Sequence, residues 1–199
     1  MFDLLTALLD SWTVWNHVAG SEGDGLRWRR AYLRLTYGCG AYRPYEDLVC
    51  EAAVNARLQP SLAEKLTSGW NDLRPWAEVP GVLGCLVRRG VPLGVATNCS
   101  VAMGVQAAAN VGVPFNAVVT SEEAGFYKPR PEPNHAVLAK LGTDPARTLF
   151  VAGSPADVPG AAGVGMPVFW HNRASLPFVA DQARPFLVAD TLHPLLDLV

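Results

Sequence analysis

The chain has 199 residues, 50% of them hydrophobic and only 17% charged, against about 25% charged in a typical soluble domain. Sixteen Lys and Arg against eighteen Asp and Glu leave a formal charge of −2, too little positive charge to neutralise a run of phosphates, which argues against nucleic-acid binding as the main activity. The length suits one domain with a small insertion, and the apolar content excludes disordered and fibrous classes.

The N-terminal stretch MFDLLTALLDSW holds aspartates at 3 and 10 and no basic leader, so no signal peptide is expected, and no apolar run approaches the roughly eighteen residues of a membrane span. A soluble, cytoplasmic protein without a membrane partner is the expectation. Residues 2–5 read as a first apolar strand, a short one because only Met1 and Phe2 precede Asp3. Residues 11–76 are rich in Trp, Tyr and Arg and read mostly as helix. From Pro80 the chain alternates: a helix over 80–89 with Pro at its start and Gly90 past its end, a strand over 92–96 (PLGVA), and a helix from a Ser100 cap towards Val111. There follow a strand over 117–120 (AVVT), a helix over 134–141 stopped by Gly142, a strand over 148–151 (TLFV), a short helix from about 156 to about 165, and strands over 168–170 (VFW) and 187–189. Wholly apolar strands separated by helices indicate an α/β fold with a parallel sheet covered on both faces. The economical division is a core of residues 1–10 and 77–199 with a small all-helical cap, residues 11–76, inserted after the first strand.

The four cysteines, Cys39, Cys50, Cys85 and Cys99, show no CxxC spacing and no paired histidines nearby, so reduced thiols are expected and neither zinc nor a disulfide framework. Cys99 reads as a small buried hydrophobe. His135, His171 and His193 show no mutual spacing that suggests a site.

In an open parallel sheet the reactive groups gather beyond the carboxyl ends of the strands. Asp3, the pair Thr97 and Asn98, Lys128 and the stretch from Ser154 to Asp157 all stand there. A carboxylate, an amide, an amine and a hydroxyl could thus converge on one pocket. Thr97 and Asn98 could equally cap the following helix, and Asp157 could cap its own.

These stretches resemble the motifs of the haloacid dehalogenase superfamily. FDLLTALLDS is similar to the first motif, which reads FDxDGTLxDS in the superfamily's phosphatases, and puts Asp3 in the nucleophile position. VATNCS resembles the second motif, GFYKPRPEP the third, and FVAGSPADVPGAAGVGMPVFWHNR the fourth. The resemblance covers nearly the whole chain in the right order and implies a Rossmann-like three-layer core with a helical cap. Phosphatases of this superfamily use a second aspartate as general acid and base, at the position of Leu5 here, and hold Mg²⁺ with an aspartate at the position of Gly153. Neither side chain can transfer a proton or bind a hard cation.

The metal-free branch, the 2-haloacid dehalogenases, needs neither group, because a halide leaves without a proton. Its cap carries W-R-x-x-x-L-x-Y-T; Trp28, Arg29, Leu33 and Thr36 stand in that register, with Leu35 in place of the tyrosine. At about 100° per residue, Arg27, Arg30 and Arg34 share a basic face while Arg29 sits among Leu26, Tyr32 and Leu33. An inward guanidinium needs an anionic partner, which a substrate carboxylate or a departing halide would supply.

The resemblance therefore implies a hydrolase that cleaves the carbon–halogen bond of a short 2-haloacid through an aspartyl ester, without metal or cofactor. Asp3 would attack, Lys128 keep it ionised, Asp157 hold Lys128 or water, and Thr97 and Asn98 position Asp3 or the substrate. Arg29, Ser154 and Thr6 would complete the substrate pocket, and a homodimer remains open. The family's Tyr-Gly-Thr, its Ser-Ser-Asn and a tyrosine six residues after the lysine are absent; Leu5-Thr6-Ala7, the residues around Gly153-Ser154-Pro155, and Asn134 stand there. Thr6 replaces the missing threonine only if the turn shifts by one residue. A phosphatase-like hydrolase of another small substrate, and a non-catalytic relative that binds a small acid or a protein, are the competing readings. Trp12, Trp15 and His17 follow the first motif; aromatic residues at this spacing pack between layers more often than they line a pocket.

Overall fold

A computed structural model describes residues 1–178 and 183–198. Among these described residues, six strands form one parallel sheet in the order β3-β2-β1-β4-β5-β6: β1 (Phe2–Asp3), β2 (Gly94–Thr97), β3 (Ala117–Thr120), β4 (Phe150–Ala152), β5 (Val168–His171) and β6 (Leu187–Ala189). Although β1 has only two residues, it is central: Phe2 pairs with Val95 on one side and Val151 on the other. The expected strand over 2–5 ends at Asp3 because Leu4 opens a turn, its carbonyl accepting from the amides of Leu8 and Leu9 at 3.2 and 3.0 Å.

Strand period sorts the core. Phe2, Val95, Val151 and Phe169 point into one buried cluster, and Ala96, Val119, Phe150, Ala152, Val168 and Trp170 into the other. The first cluster continues through Val82, Leu83 and Leu86 of α5 (Val79–Arg88) and Met103 and Ala107 of α6 (Val101–Asn110). The second is covered by α8 (Glu132–Leu141) and α9 (Val158–Gly163). A four-residue helix, α7 (Ser121–Ala124), follows β3, and α10 (Leu195–Leu198) packs near α5. This is the three-layer α/β arrangement that the apolar strands indicate. Most bounds differ from the sequence expectation by one or two residues. The exceptions are β3 and β6, which match. Ser100 occupies the N-cap of α6 but does not cap it; its hydroxyl donates to Glu46 instead.

Between β1 and α5 stand only helices: α1 (Ser11–Ala19), α2 (Glu22–Gly38), α3 (Tyr45–Asn55), α4 (Leu62–Ser68) and a 3₁₀ turn (Gly69–Asp72). Ser21 caps α2 by accepting from the Asp24 amide, and Asp10 caps α1 by accepting from Thr13. Aromatic rings form their interior: Trp15 on Trp28 at 4.8 Å, Tyr32 on Tyr45 at 5.5 Å, and Tyr45 on Trp70 at 5.7 Å. The helical cap is tied down over the strand ends by polar contacts. The Trp70 indole donates to the Met103 carbonyl at 3.0 Å, the Tyr32 hydroxyl to Asn98 at 2.9 Å, the Tyr127 hydroxyl to Arg43 at 2.8 Å and the Tyr37 hydroxyl to Ala156 at 3.2 Å. No helix among the described residues is long and apolar enough to cross a membrane.

Trp70 is 1% exposed and joins the cap to α6. Trp70→Ala should therefore cost about 3–5 kcal/mol in urea unfolding; a loss below about 1 kcal/mol would contradict its role as a core contact.

Candidate active site

Asp3 ends β1, at the point where the chain's connections leave in both directions along the sheet, so the cleft opens at the carboxyl ends of β1, β2 and β4. The turn after Asp3 wraps its carboxylate. Oδ2 accepts from the Thr6 amide at 2.9 Å, the Thr6 hydroxyl at 2.6 Å and the Ala7 amide at 3.2 Å. Oδ1 takes the Lys128 ammonium at 2.7 Å. The same ammonium lies 3.0 Å from Asp157 Oδ1, and Asp157 Oδ2 accepts from the Ser154 hydroxyl at 3.2 Å. The turn thus brings both the amide and the hydroxyl of Thr6 to one oxygen.

All three charged groups are buried, with side-chain exposures of 9% for Asp3, 5% for Lys128 and 10% for Asp157. Burial by itself would raise the Asp3 carboxyl, but the Lys128 charge and the Thr6 donors outweigh it and hold Asp3 below the usual carboxylate range. Asp157 goes the other way: burial and the neighbouring Asp3 charge push it up, against the pull of Lys128. For Lys128, burial is outweighed by the two carboxylates, and its titration lies above the ordinary lysine range. Asp3 is therefore the more acidic of the two carboxyls, and Asp157 takes a proton before it as the pH falls.

From the opposite side α2 delivers Arg29, 7% exposed, while Arg27, Arg30 and Arg34 face solvent. Its Nη2 donates to the Ser11 hydroxyl at 2.6 Å, and the guanidinium lies 3.8 Å above the Trp12 ring and 5.4 Å from that of Trp15. Nη1 is buried with no hydrogen-bond partner among the described residues. Burial lowers the guanidinium to about 10, still charged at neutral pH. An inward arginine is thus held by a hydroxyl and two indoles, with one nitrogen left for an anion. A cavity of about 80 Å³ separates it from Asp3, bounded also by Thr6, Trp12, Tyr45, Asn98, Lys128, Ser154 and Asp157.

Thr97 and Asn98 find partners other than Asp3. Thr97 is fully buried below the cavity and its hydroxyl lies 3.6 Å from the Cys99 sulfur, not on Asp3. Asn98 borders the cavity, and its side chain holds the segment that carries Lys128: Oδ1 accepts from the Lys128 amide at 2.8 Å and the Ser121 hydroxyl at 2.9 Å, and Nδ2 donates to the Lys128 carbonyl at 3.1 Å. It positions Lys128 and makes no hydrogen bond to Asp3. Asp157 starts α9 without capping it. Trp12 and Trp15 line the cavity, where packing between layers was expected, and His17 is exposed and outside it. Burial pushes the Cys99 thiol up to about 12, which leaves it unreactive.

The sequence also missed Tyr32 and Tyr45, which reach the cavity, and His171, which supports it from behind. His171 Nδ1 lies 2.7 Å from the Ala7 carbonyl and Nε2 3.3 Å from Glu78 Oε1, bracing the turn that holds Asp3. These contacts cross between distant elements and carry no local pattern.

Magnesium requires several oxygen ligands, and the residues present do not fit it. Leu5 and Gly153 supply no oxygen side chain, and both nearby carboxylates are engaged by the Lys128 ammonium. A Cβ at Gly153 would overlap the Ala7 amide and the Thr6 hydroxyl, so the turn that holds Asp3 occupies the space an aspartate side chain would need.

With this geometry in place, similarity to known proteins adds chemical context. The profile of the haloacid dehalogenase-like hydrolases matches residues 13–165. Haloacetate dehalogenase H-2 of Moraxella sp. (strain B) is 30% identical over 162 residues, which span 76% of this chain and 72% of that protein. A phosphoglycolate phosphatase of Rhodospirillum rubrum is 32% identical over 149 residues, spanning 74% of this chain and 59% of that enzyme. In fold, the crystal structure of an L-2-haloacid dehalogenase superposes with a TM-score of 0.87 at 24% identity, covering 100% of this chain and 96% of that one.

Two substitutions test the geometry without reference to activity. Lys128→Met leaves Asp3 and Asp157 facing each other without a cation. It should be several kcal/mol less stable than wild type at pH 7, and the gap should narrow as the pH falls towards 5, because protonating either carboxyl relieves the repulsion; urea unfolding across pH measures it, and a pH-independent gap would contradict the triad. Gly153→Ala should displace the 4–7 turn, seen as shifted Thr6 and Ala7 amide resonances; unchanged resonances would contradict the close approach.

Proposed function

Because the chain belongs to the haloacid dehalogenase-like hydrolase family, we propose that it is a metal-independent 2-haloacid dehalogenase that works through an ester on Asp3. The observation that carries this reading is the pair of opposed charges across one small cavity: an ionised carboxylate paired with Lys128 on the core side, and a buried, half-satisfied guanidinium on the cap side.

The two oxygens of Asp3 have different duties. Oδ2 is held by three donors, Oδ1 by Lys128 alone. Oδ1 attacks Cα of the haloacid; the new C–O bond forms as the carbon–halogen bond breaks, and its electron pair leaves as halide towards Arg29. The departing group needs no proton, so Leu5 at the general-acid position costs nothing. Water then adds to the ester carbon of Asp3, and the charge that develops on Oδ2 falls on the Thr6 and Ala7 amides already directed at it. Collapse releases the hydroxyacid and, after loss of one proton, restores the Asp3 carboxylate. Asp157, whose carboxyl is raised, is suited to receive that proton. Ser154 orients Asp157 through their hydrogen bond.

The similarity to a phosphoglycolate phosphatase favours a second reading, hydrolysis of a small phosphate monoester. It would have to proceed without the acid at position 5 and without the metal ligand at position 153.

Halide release from racemic 2-chloropropionate in the presence of EDTA separates the readings. Wild type should release chloride and consume one enantiomer, and Asp3→Asn should lower the rate by at least about 10³-fold, as expected when a nucleophile is removed. Equal, background release by both proteins would contradict the dehalogenase reading, and Mg²⁺-dependent turnover of an aryl phosphate would support the phosphatase.

A further inference from the structure

Two cavity-lining residues carry a buried polar atom with no duty in this mechanism, the Trp12 Nε1–H and the Tyr45 hydroxyl, and the hydroxyl is the one that a conservative substitution removes cleanly. Tyr45, the first residue of α3, is 1% exposed, with its ring held edge-on between Tyr32 and Trp70. It borders the cavity, yet its hydroxyl has no hydrogen-bond partner among the described residues. Buried hydroxyls are nearly always paired, and one left free in a pocket wall is a candidate contact for whatever fills the pocket. Burial carries its titration well above the ordinary range, so at any working pH the group is an O–H donor.

Direction decides what it would meet. Asp3 attacks from the core side, and in-line displacement sends the leaving group to the opposite side of Cα. That side is built by the cap, where α2 brings Arg29 and α3 brings Tyr45. Resting on the dehalogenase reading, we propose that the Tyr45 hydroxyl is a leaving-group donor beside Arg29 and sets the halogen preference of the site towards fluoride and chloride. The carbon–halogen bond pair departs with the halogen, and Tyr45 keeps its proton and contributes only a hydrogen bond. Charge density on a halide falls from fluoride to iodide, and the strength of a hydrogen bond to it falls in the same order. A neutral donor therefore favours the small halogens, whereas the ring faces of Trp12 and Trp15 offer polarisable surface to any of them.

Tyr45→Phe keeps the ring and removes only the hydroxyl, so folding is not at issue. Single-turnover rates with the halogen series of 2-haloacetates are the measurement. The variant should lose about tenfold or more with fluoroacetate, as for a transition-state hydrogen bond worth about 1.4 kcal/mol or more, a few-fold with chloroacetate and less than twofold with bromo- and iodoacetate. A uniform loss across the series, or none, would overturn the proposal. Chloride and bromide titrations followed by tryptophan fluorescence provide an arm independent of turnover. Chloride should weaken more than bromide in Tyr45→Phe, and equal weakening or none would overturn the proposal. If that selectivity appears in a protein that releases no halide from any haloacid, the donor stands and the dehalogenase reading falls.

Discussion

The site depends on one ammonium. Lys128 lies between Asp3 and Asp157 at 2.7 and 3.0 Å with all three side chains nearly out of solvent. A single unpaired carboxylate at that depth would be driven to its neutral form; two of them facing each other would be worse. Supplied with one fixed cation, the pair splits, so that Asp3 is kept ionised and Asp157 is left prone to protonation. Much of the surrounding loop structure serves to hold that cation. Asn98 fixes the backbone of Lys128 on both its amide and its carbonyl, Ser121 fixes Asn98, and Ser154 fixes Asp157.

The position of that cation is fixed sterically as well as by hydrogen bonds. The turn from Leu4 to Leu9 bends tightly over Asp3, and Gly153 is the backbone position that lets it come so close. His171 pins the same turn from the opposite side through the Ala7 carbonyl. The cap closes over this fixed base with donors to spare, since Arg29 Nη1 and the Tyr45 hydroxyl are both buried without partners among the described residues. A small anion is the chemical complement of such a wall.

Much of this was legible in the sequence. Apolar strands interrupted by helices identify the parallel sheet, and the turn chemistry locates Asp3, Lys128 and Asp157 at strand ends, where the sheet brings them together. Helical phase separates Arg29 from Arg27, Arg30 and Arg34, as the burial bears out. What local pattern does not encode is which way a polar side chain turns once it arrives. Thr97 and Asn98 have the residue types and the place of substrate contacts, yet one turns to Cys99 and the other to the Lys128 backbone. Tyr45 and His171 reach the site across 42 and 168 residues of chain from Asp3, contacts that only the tertiary packing creates. Strand ends shift by a residue or two for the same reason, as the tight turn at Leu4 takes residues that apolar pattern alone assigns to β1.

Isotope transfer in a single turnover tests the covalent route most directly. With enzyme in excess over 2-chloropropionate in ¹⁸O-labelled water, an ester on Asp3 requires the first lactate formed to carry unlabelled oxygen from the carboxylate, and the peptide containing Asp3 to gain the label. Labelled lactate in that first turnover, with unlabelled Asp3, would mean that water attacks Cα directly and would contradict Asp3 as the nucleophile.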